Sequence, residues 1–243
     1  QSKNTTVRTL NWWSPLLKIA SVIVIALGVY FTFLNNPETV FKTLASEKIS
    51  FELPDQSKVE LNAQSSITFH SKNWENNRLL TLQGEAYFKV SKGKVFDVKT
   101  TQGLVTVVGT QFNVKQREQY FEVKCFEGVV RVTSNNITKQ LEAGDTFQIL
   151  NGAFTQGTTK ATSPKWIDQM SEFEAIPFKE VLAELERQFN IQITLKSVDT
   201  NRLFTGGFMH TNLENALKAV TQPMNLTYEL NPSNLVLIHG ESH

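Results

Sequence analysis

Cysteine is almost absent from the 243-residue sequence, in which Cys125 is the only one. No disulfide can therefore form within the chain, and its stability must come from side-chain packing. Cys125 lies in phase with Phe121 and Val123 in a strand-like segment, so we expect a buried thiol rather than a reactive one. An excess of one charge is also absent. Lys and Arg number 24 and Asp and Glu 23, which gives no basis for nucleic-acid binding.

Catalytic and metal-binding motifs are lacking as well. The four histidines are scattered without the spacing of metal ligands, so we expect surface or C-terminal positions for them, with neither a metal nor a cofactor. They are His70, His210, His239 and His243. The sequence contains no nucleophile elbow, P-loop or dinucleotide-binding motif. Glu85 has no second carboxylate or base near it in sequence, so we expect a structural role for it. We therefore do not expect the chain to be an enzyme.

One long apolar segment is present, between Leu16 and Leu34, with Lys18 as its only charge. A helix of this length spans about 28 Å, close to the hydrocarbon thickness of a bilayer. We therefore predict a single transmembrane helix over residues 16–34, preceded by a cytoplasmic juxtamembrane segment, 1–15. A cleaved signal peptide and a buried core helix are the alternatives, but the segment has neither a small-residue cleavage site nor a polar stripe.

The charges that flank this segment predict its orientation. Lys3, Arg8 and Lys18 precede or begin it, whereas the first basic residue after it is Lys42. By the positive-inside rule the N-terminus is then cytoplasmic, and everything after Leu34 lies on the exported side of the membrane.

Residues 39–155 are typical of an all-β domain. Residues 58–62 alternate polar and apolar side chains, as a half-buried strand does. Similar segments follow and are separated by turn residues, among them Gln83-Gly84 and Glu127-Gly128. We expect further strands at residues 79–82, 86–90, 96–98, 104–108, 112–114, 121–125, 129–132 and 146–150. This pattern predicts a mainly β domain, a sandwich, a barrel or a solenoid-like fold.

A small α+β domain is predicted over residues 166–240, after a linker at 151–164 that is rich in Gly, Thr and Ser. Residues 178–189 are typical of an amphipathic helix, with Val181 and Leu185 on its apolar face and Glu180 and Glu184 outward. A second helix is expected at 213–220, with Asn212 as its N-cap. The expected order of elements is strand, helix, strand, strand, helix, strand, strand.

Five segments of the β region follow one another in the order of the signatures of a known family. They are LPDQSKVELNA at 53–63, GEAYFKV at 84–90, VGTQFNV at 108–114, EGVVRV at 127–132 and LEAGD at 141–145. In these segments the chain resembles the FecR family of bacterial inner-membrane anti-sigma regulators. Gln56 departs from the family's pattern, which has Gly in this turn, at a cost of up to about 1 kcal/mol if φ must be positive there.

The C-terminal segment adds to the resemblance. IPF at 176–178, GGF at 206–208 and LENAL at 213–217 are similar to the domain that ends many Bacteroidetes members of the family. The same segments resemble the short signalling domain of secretins and TonB-dependent receptors.

The resemblance implies a signal relay by a single-pass protein of the bacterial inner membrane, with its main body in the periplasm. The signalling domain of a TonB-dependent outer-membrane transporter would contact that body, and the signal would reach an extracytoplasmic-function sigma factor in the cytoplasm. Family members hold the sigma factor with a helical N-terminal domain. The residues before Leu16 are too few to form it, so we expect that domain to lie outside this sequence.

The resemblance also implies a candidate self-cleavage site at Gly109 and Thr110, because some FecR-type regulators are cleaved at the Gly-Thr bond of this motif. The Thr110 hydroxyl would attack the carbonyl of Gly109, and water would then hydrolyse the resulting ester. A β-bulge or tight turn is the alternative interpretation of the same dipeptide.

Partner binding is expected on the C-terminal domain. Short strands at 204–208 and 235–239 would offer an open sheet edge to which a partner adds a strand. The candidate contacts are Phe204, Phe208, Met209, Leu235 and Leu237. Core packing is the alternative role of the two phenylalanines.

A membrane-anchored periplasmic scaffold or glycan-binding module is the alternative function. Such a module needs a groove with exposed aromatic side chains and carboxylates, and Trp74 with Tyr87 is the pair that suggests one.

Overall fold

The computed structural model describes residues 13–34, 38–232 and 234–240 of the chain. Residues 1–12, which form most of the juxtamembrane segment, and His243 lie outside the described residues, as do 35–37, 233, 241 and 242. The chain divides into two compact units, Gln1–Glu38 and Thr39–His243.

The first unit contains helix α1, Trp13–Leu34. The side chains of residues 18–30 on this helix are exposed. Within the part of the chain that the structure describes, no helix is both long and apolar enough to span a membrane. The transmembrane helix at 16–34 therefore stays a prediction.

The second unit begins with thirteen strands that form one hydrogen-bonded sheet. Their bounds are Thr39–Lys42 (β1), Ile49–Glu52 (β2), Lys58–Leu61 (β3), Ser66–Phe69 (β4), Arg78–Lys89 (β5), Phe96–Lys99 (β6), Leu104–Val107 (β7), Gln111–Arg117 (β8), Tyr120–Glu127 (β9), Val129–Ser134 (β10), Ile137–Glu142 (β11), Asp145–Leu150 (β12) and Ala153–Thr158 (β13). We call residues 39–158 the β part.

Strand β5 holds the two halves of this sheet together. Its first half pairs with β4 and β6, and its second half pairs with β3 and β8. The strand changes direction at Gly84, whose φ is +105°. A Cβ atom at Gly84 would lie 2.4 Å from Ser65 Oγ, so only glycine fits this bend. The Gln83-Gly84 turn and the two separate strands expected at 79–82 and 86–90 are therefore wrong, because the chain bends there without reversing.

The curled sheet encloses a single hydrophobic cluster. Alternating residues of both halves point into it, including Leu82, Val98, Phe112, Val123 and Phe147. The predicted mainly β fold is thus confirmed, as one curled sheet. Cys125 is buried in this cluster, and its burial raises the pKa of the thiol to about 11, which agrees with an unreactive side chain.

The C-terminal part, residues 170–240, has the predicted α+β character. Its elements are Met170–Pro177 (β14), Phe178–Phe189 (α2), Gln192–Lys196 (β15), Leu203–Met209 (β16), Leu213–Thr221 (α3), Leu226–Asn231 (β17) and Leu235–Gly240 (β18). Strands β14 and β16 form a two-stranded sheet, and β18 lies between β15 and β17 in a second sheet. Both helices pack on a second hydrophobic cluster, and Tyr120 of the β part belongs to it. The side chain of Asn212 accepts a hydrogen bond from the Asn215 amide, so the predicted N-cap is confirmed.

The segment expected to be a linker is only partly irregular. Residues 153–158 within it form β13, which pairs with β12 along its whole length. This strand is polar, with Thr155, Gln156 and Gly157, so its sequence lacks the apolar alternation that predicts a strand.

Candidate functional site

The outer face of the sheet, opposite to the hydrophobic cluster, is polar. One residue from each of five adjacent strands forms a cross-strand row, because Glu85 pairs with Lys115, Lys115 with Glu122, Glu122 with Gln148, and Gln148 with Thr155. Residues directly opposite one another in antiparallel strands have Cβ atoms about 5 Å apart, so neighbours in this row interact. We call these five residues the polar row.

A cleft of about 930 Å³ lies over this face. Its floor includes the polar row, and its other side is formed by β14 and β16, with Glu172, Glu174, Gly206 and Gly207. The segment that connects β13 to β14 also lines it, through residues 159–161 and 163–166. The cleft is therefore open at the Thr155 end of the polar row and is covered at the Glu85 end by the C-terminal part.

Helix α2 covers the Glu85 end through a cluster of buried polar side chains. Glu184, only 1% exposed, lies 3.4 Å from Lys115 Nζ through its Oε2 atom. Gln188 Nε2 donates to Asn62 Oδ1 at 3.0 Å and to Glu184 Oε1 at 2.8 Å. Asn62 Nδ2 in turn donates to Glu85 Oε2 at 3.0 Å. We call these five residues, Glu85, Asn62, Lys115, Glu184 and Gln188, the latch.

The charges of the latch are balanced by neighbouring cations. Arg187 donates to Glu184 Oε2 at 2.8 Å, and Lys115 also lies 3.6 Å from Glu85 Oε2. Burial alone would raise the pKa of Glu184, but Lys115, Arg187 and Arg117 together hold it well below its ordinary value. Burial and the nearby Arg187 lower the pKa of Arg117 to about 10, so this side chain is still charged at neutral pH. The interface between the two parts thus depends on a set of ionised groups.

The end of helix α2 is also held by backbone contacts from the β part. The Ser46 amide donates to the Arg187 carbonyl at 2.8 Å, and the Ser46 hydroxyl donates to the Gln188 carbonyl at 2.9 Å. The last carbonyls of a helix have no partner within the helix itself. Ser46 of the β part supplies partners for two of them, which holds the end of α2 in position over the latch.

A second polar group lies beside the latch. Trp166 Nε1 donates to Asn113 Oδ1 at 3.1 Å, and Lys48 Nζ donates to the Trp166 carbonyl at 3.0 Å. Lys48 Nζ also lies 2.9 Å from His210 Nδ1, and His210 Nε2 lies 2.9 Å from Ser171 Oγ. An ammonium only donates, so Nδ1 must accept and Nε2 must carry the proton that is donated to Ser171. His210 therefore cannot act as a base toward Ser171, and this group is structural.

His210 differs from the surface position expected for it, since it is half-buried within a hydrogen-bond network. Burial, with help from Lys48, lowers its pKa to about 4. His239 Nε2 lies 3.2 Å from Glu229, and His70 is exposed. Among the described residues, no group of His, Cys, Asp and Glu side chains is arranged to hold a metal.

Gly109 and Thr110 lie in the bend between β7 and β8. Thr110 is buried, and its hydroxyl donates a long hydrogen bond of 3.3 Å to the Val129 carbonyl. Gly128 faces the Gly109 carbonyl so closely that a Cβ there would lie 2.9 Å from its oxygen. Self-cleavage at this bond stays a prediction.

The predicted partner contacts divide into buried and accessible side chains. Phe204 and Phe208 are each 2% exposed and belong to the second hydrophobic cluster, whereas Met209 is 46% exposed. Leu235 and Leu237 are half-buried on β18, which has a neighbour on both sides. The open edge expected at 235–239 is therefore wrong, because the parallel strand β15 occupies it.

The aromatic pair that suggested a glycan groove is buried. Trp74 belongs to the core of the β part, and Tyr87 is covered as well and donates to Gln111 Oε1 at 2.8 Å. These two side chains cannot stack on a sugar.

Sequence reasoning missed most of the latch. Glu184 was expected to face outward, and the structure buries it together with Glu180. One signal was available. Glu184 and Gln188 lie next to Val181 and Leu185 on the helix surface, at spacings of three and four residues, so they flank the apolar face. Lys115 and Asn62 gave no such signal, because their role depends on a contact from a distant part of the chain.

Two family models match the chain. The model described as FecR protein matches residues 39–131, and the model described as FecR, C-terminal, matches residues 171–237. Together they match more than half of the chain and coincide with most of the β part and the C-terminal part.

Two solved structures have the same fold. Both are crystal structures described as a putative anti-sigma factor from Parabacteroides distasonis ATCC 8503, at 2.50 and 1.65 Å resolution. The first is 26% identical, with a TM-score of 0.79, over 85% of this chain and 100% of that one. The second is 25% identical, with a TM-score of 0.78, over 84% and 100%. No curated protein matches the chain. From the two family models and these structures, we conclude that the chain belongs to the FecR family of anti-sigma regulators.

Proposed function

We propose that this chain relays a signal from a TonB-dependent outer-membrane transporter to an extracytoplasmic-function sigma factor, as a single-pass protein of the inner membrane with its body in the periplasm. Family membership supports the anti-sigma role. The sequence supports the transporter as a partner and the membrane topology. The apolar segment 16–34 has basic residues before it and none in the seven positions after it.

The latch is the observation that carries the proposal. The C-terminal part docks on the β part through ionised and hydrogen-bonded groups, with Tyr120 as an apolar contact between them. Interfaces of this kind between parts of one chain are weaker than an apolar core and allow relative motion. A signal received by the C-terminal part can thus reach the β part as a change in docking.

The C-terminal part also offers a surface for the transporter. Within the described residues β16 pairs only with β14, and Leu203 and Met209 at its two ends are exposed. A strand of the transporter's signalling domain can pair with such an edge, while the exposed apolar side chains supply contact area.

The membrane topology is tested with reporter enzymes fused after His243. Alkaline phosphatase, which is active only outside the cytoplasm, should be active in this fusion, and β-galactosidase should be inactive. An active β-galactosidase would place the body in the cytoplasm and exclude contact with an outer-membrane transporter.

The partners are tested by co-purification. The protein isolated from its native membrane should retain the sigma factor, and the periplasmic body should retain the transporter's signalling domain. Met209→Glu should weaken retention of the signalling domain, while Glu142→Lys on the distant strand β11 should not. Equal retention by the wild type and Met209→Glu would exclude this edge as the contact.

A further inference from the structure

A continuous chain of hydrogen bonds runs along the polar row from the open cleft toward the latch. Thr155 Oγ1 donates to Gln148 Oε1 at 3.0 Å, and Gln148 Nε2 donates to the Tyr120 hydroxyl at 3.2 Å. The Tyr120 hydroxyl donates to Glu122 Oε2 at 2.9 Å. An ionised carboxylate only accepts, so every donor in this chain is directed toward Glu122.

Glu122 is ionised despite its burial. Lys124 Nζ lies 3.1 Å from its Oε1 atom, and Lys115 is its register partner in the adjacent strand. Burial would raise the pKa of Glu122, but Lys124, Lys115 and the Tyr120 hydrogen bond lower it. The hydrogen-bond chain therefore ends on a charge that attracts a member of the latch.

Lys115 is shared among several carboxylates. Its ammonium lies 3.4 Å from Glu184 and 3.6 Å from Glu85, with Glu122 opposite it across the strands. Charge-assisted hydrogen bonds are about 2.8 Å long, so Lys115 is not fixed to any one of these groups. Lys115 therefore interacts with Glu184, Glu85 and Glu122 at the same time.

We propose that the polar row couples the open end of the cleft to the docking of helix α2. A ligand group that takes over the hydrogen bonds of Gln148 or Thr155 would reorient the Tyr120 hydroxyl, redistribute the charge around Lys115 and loosen Glu184. The coupling deepens the proposed function by naming a regulatory input to the latch. It can be tested on the chain alone, so its failure would leave the partners of the proposed function untouched.

The test compares two tyrosine–glutamine pairs on the same face of the same sheet. Tyr120 bonds Gln148 within the chain that leads to Glu122, whereas Tyr87 bonds Gln111 at 2.8 Å, and Gln111 bonds the exposed Glu127. The variants Tyr120→Phe and Gln148→Met remove one pair, and the matched controls Tyr87→Phe and Gln111→Met remove the other. Each substitution keeps the apolar bulk of the side chain, which protects the fold.

Amide hydrogen exchange of residues 178–189 in the full chain, measured by mass spectrometry, reports the docking of α2. Loss of one coupled hydrogen bond should speed this exchange about fivefold in Tyr120→Phe and Gln148→Met. The two control variants should stay close to the wild type. Unchanged exchange of α2 in both test variants would overturn the proposal, and so would an equal increase in the controls.

A double variant gives a second measurement. In Tyr120→Phe/Glu184→Gln the second substitution has already weakened the latch. Tyr120→Phe should therefore speed the exchange of α2 less in this background than it does in the wild type. If the two effects simply multiply, the sites are independent and the proposal is wrong.

Discussion

Lys115 and Glu184 meet across the boundary between the β part and the C-terminal part, although 69 residues separate them in sequence. The distance from Lys115 Nζ to Glu184 Oε2 is 3.4 Å, and Arg187 holds the same carboxylate at 2.8 Å. The side chains of both cations are mostly buried with it, each 12% exposed. The docking of helix α2 is therefore strongest while Glu184 is ionised.

Glu184→Gln should lower the free energy of unfolding by about 3 kcal/mol, because it leaves Lys115 and Arg187 buried without their shared counter-charge. Urea unfolding of the full chain, followed by tryptophan fluorescence, measures this loss. The matched control is Glu174→Gln at an exposed position of β14, which should change stability by less than about 0.5 kcal/mol. Equal losses of unfolding free energy in the two variants would show that the buried Glu184 stabilises the chain no more than an exposed carboxylate does.

The same carboxylate predicts a pH dependence. The folded-state pKa of Glu184 lies well below its ordinary value of 4.5, so the unfolded chain binds this proton more readily. Its contribution to stability is therefore complete above pH 4.5 and is lost as the pH falls through the lower, folded-state pKa. Urea unfolding at a series of pH values should show a smaller loss on acidification in Glu184→Gln than in the wild type. Parallel curves would contradict this assignment.

The buried imidazole of His210 predicts a second pH effect on stability. Its pKa falls from an ordinary 6.5 to about 4, owing first to burial and then to Lys48. The stability that depends on neutral His210 is complete above pH 6.5 and is lost as the pH falls toward 4. Lys48→Met should raise the pKa of His210, as an NMR titration of its ring protons would show. An unchanged pKa would mean that burial alone determines it.

The parts of the fold that depend on local pattern were predictable from the sequence. Helix α2 occupies the predicted residues 178–189, and the N-cap Asn212 has its predicted role. The polar side chains of strand β13 give no apolar alternation, so the sequence does not predict it. Glycine permits both a turn and a bend, so the sequence does not distinguish them at Gly84. The latch could not be predicted from the sequence, since Lys115 and Asn62 acquire their role only when a helix from a distant part of the chain covers them.

Gln56 occupies a turn position with φ of 65°, a conformation in which a side chain is strained. Gln56→Gly should therefore stabilise the chain by up to about 1 kcal/mol, which urea unfolding would detect. Gln156→Gly on strand β13 is the matched control, and it should destabilise because glycine weakens a strand. A loss of stability in Gln56→Gly would show that side-chain contacts of Gln56 outweigh the strain.

The Gly109–Thr110 bond gives the last prediction. The Thr110 hydroxyl donates a long hydrogen bond to the Val129 carbonyl, so it is only weakly held by that acceptor. If this hydroxyl attacks Gly109, the chain should separate on a denaturing gel into fragments ending at Gly109 and beginning at Thr110, while strand pairing holds them together in the native protein. Thr110→Ala should then give a single intact band, because the nucleophile is gone. Thr106→Ala, whose hydroxyl bonds Asp97 on the neighbouring strand, is the matched control and should be cleaved like the wild type. A single intact band from the wild type and from both variants would reject self-cleavage and leave the tight bend between β7 and β8 as the reason for this dipeptide.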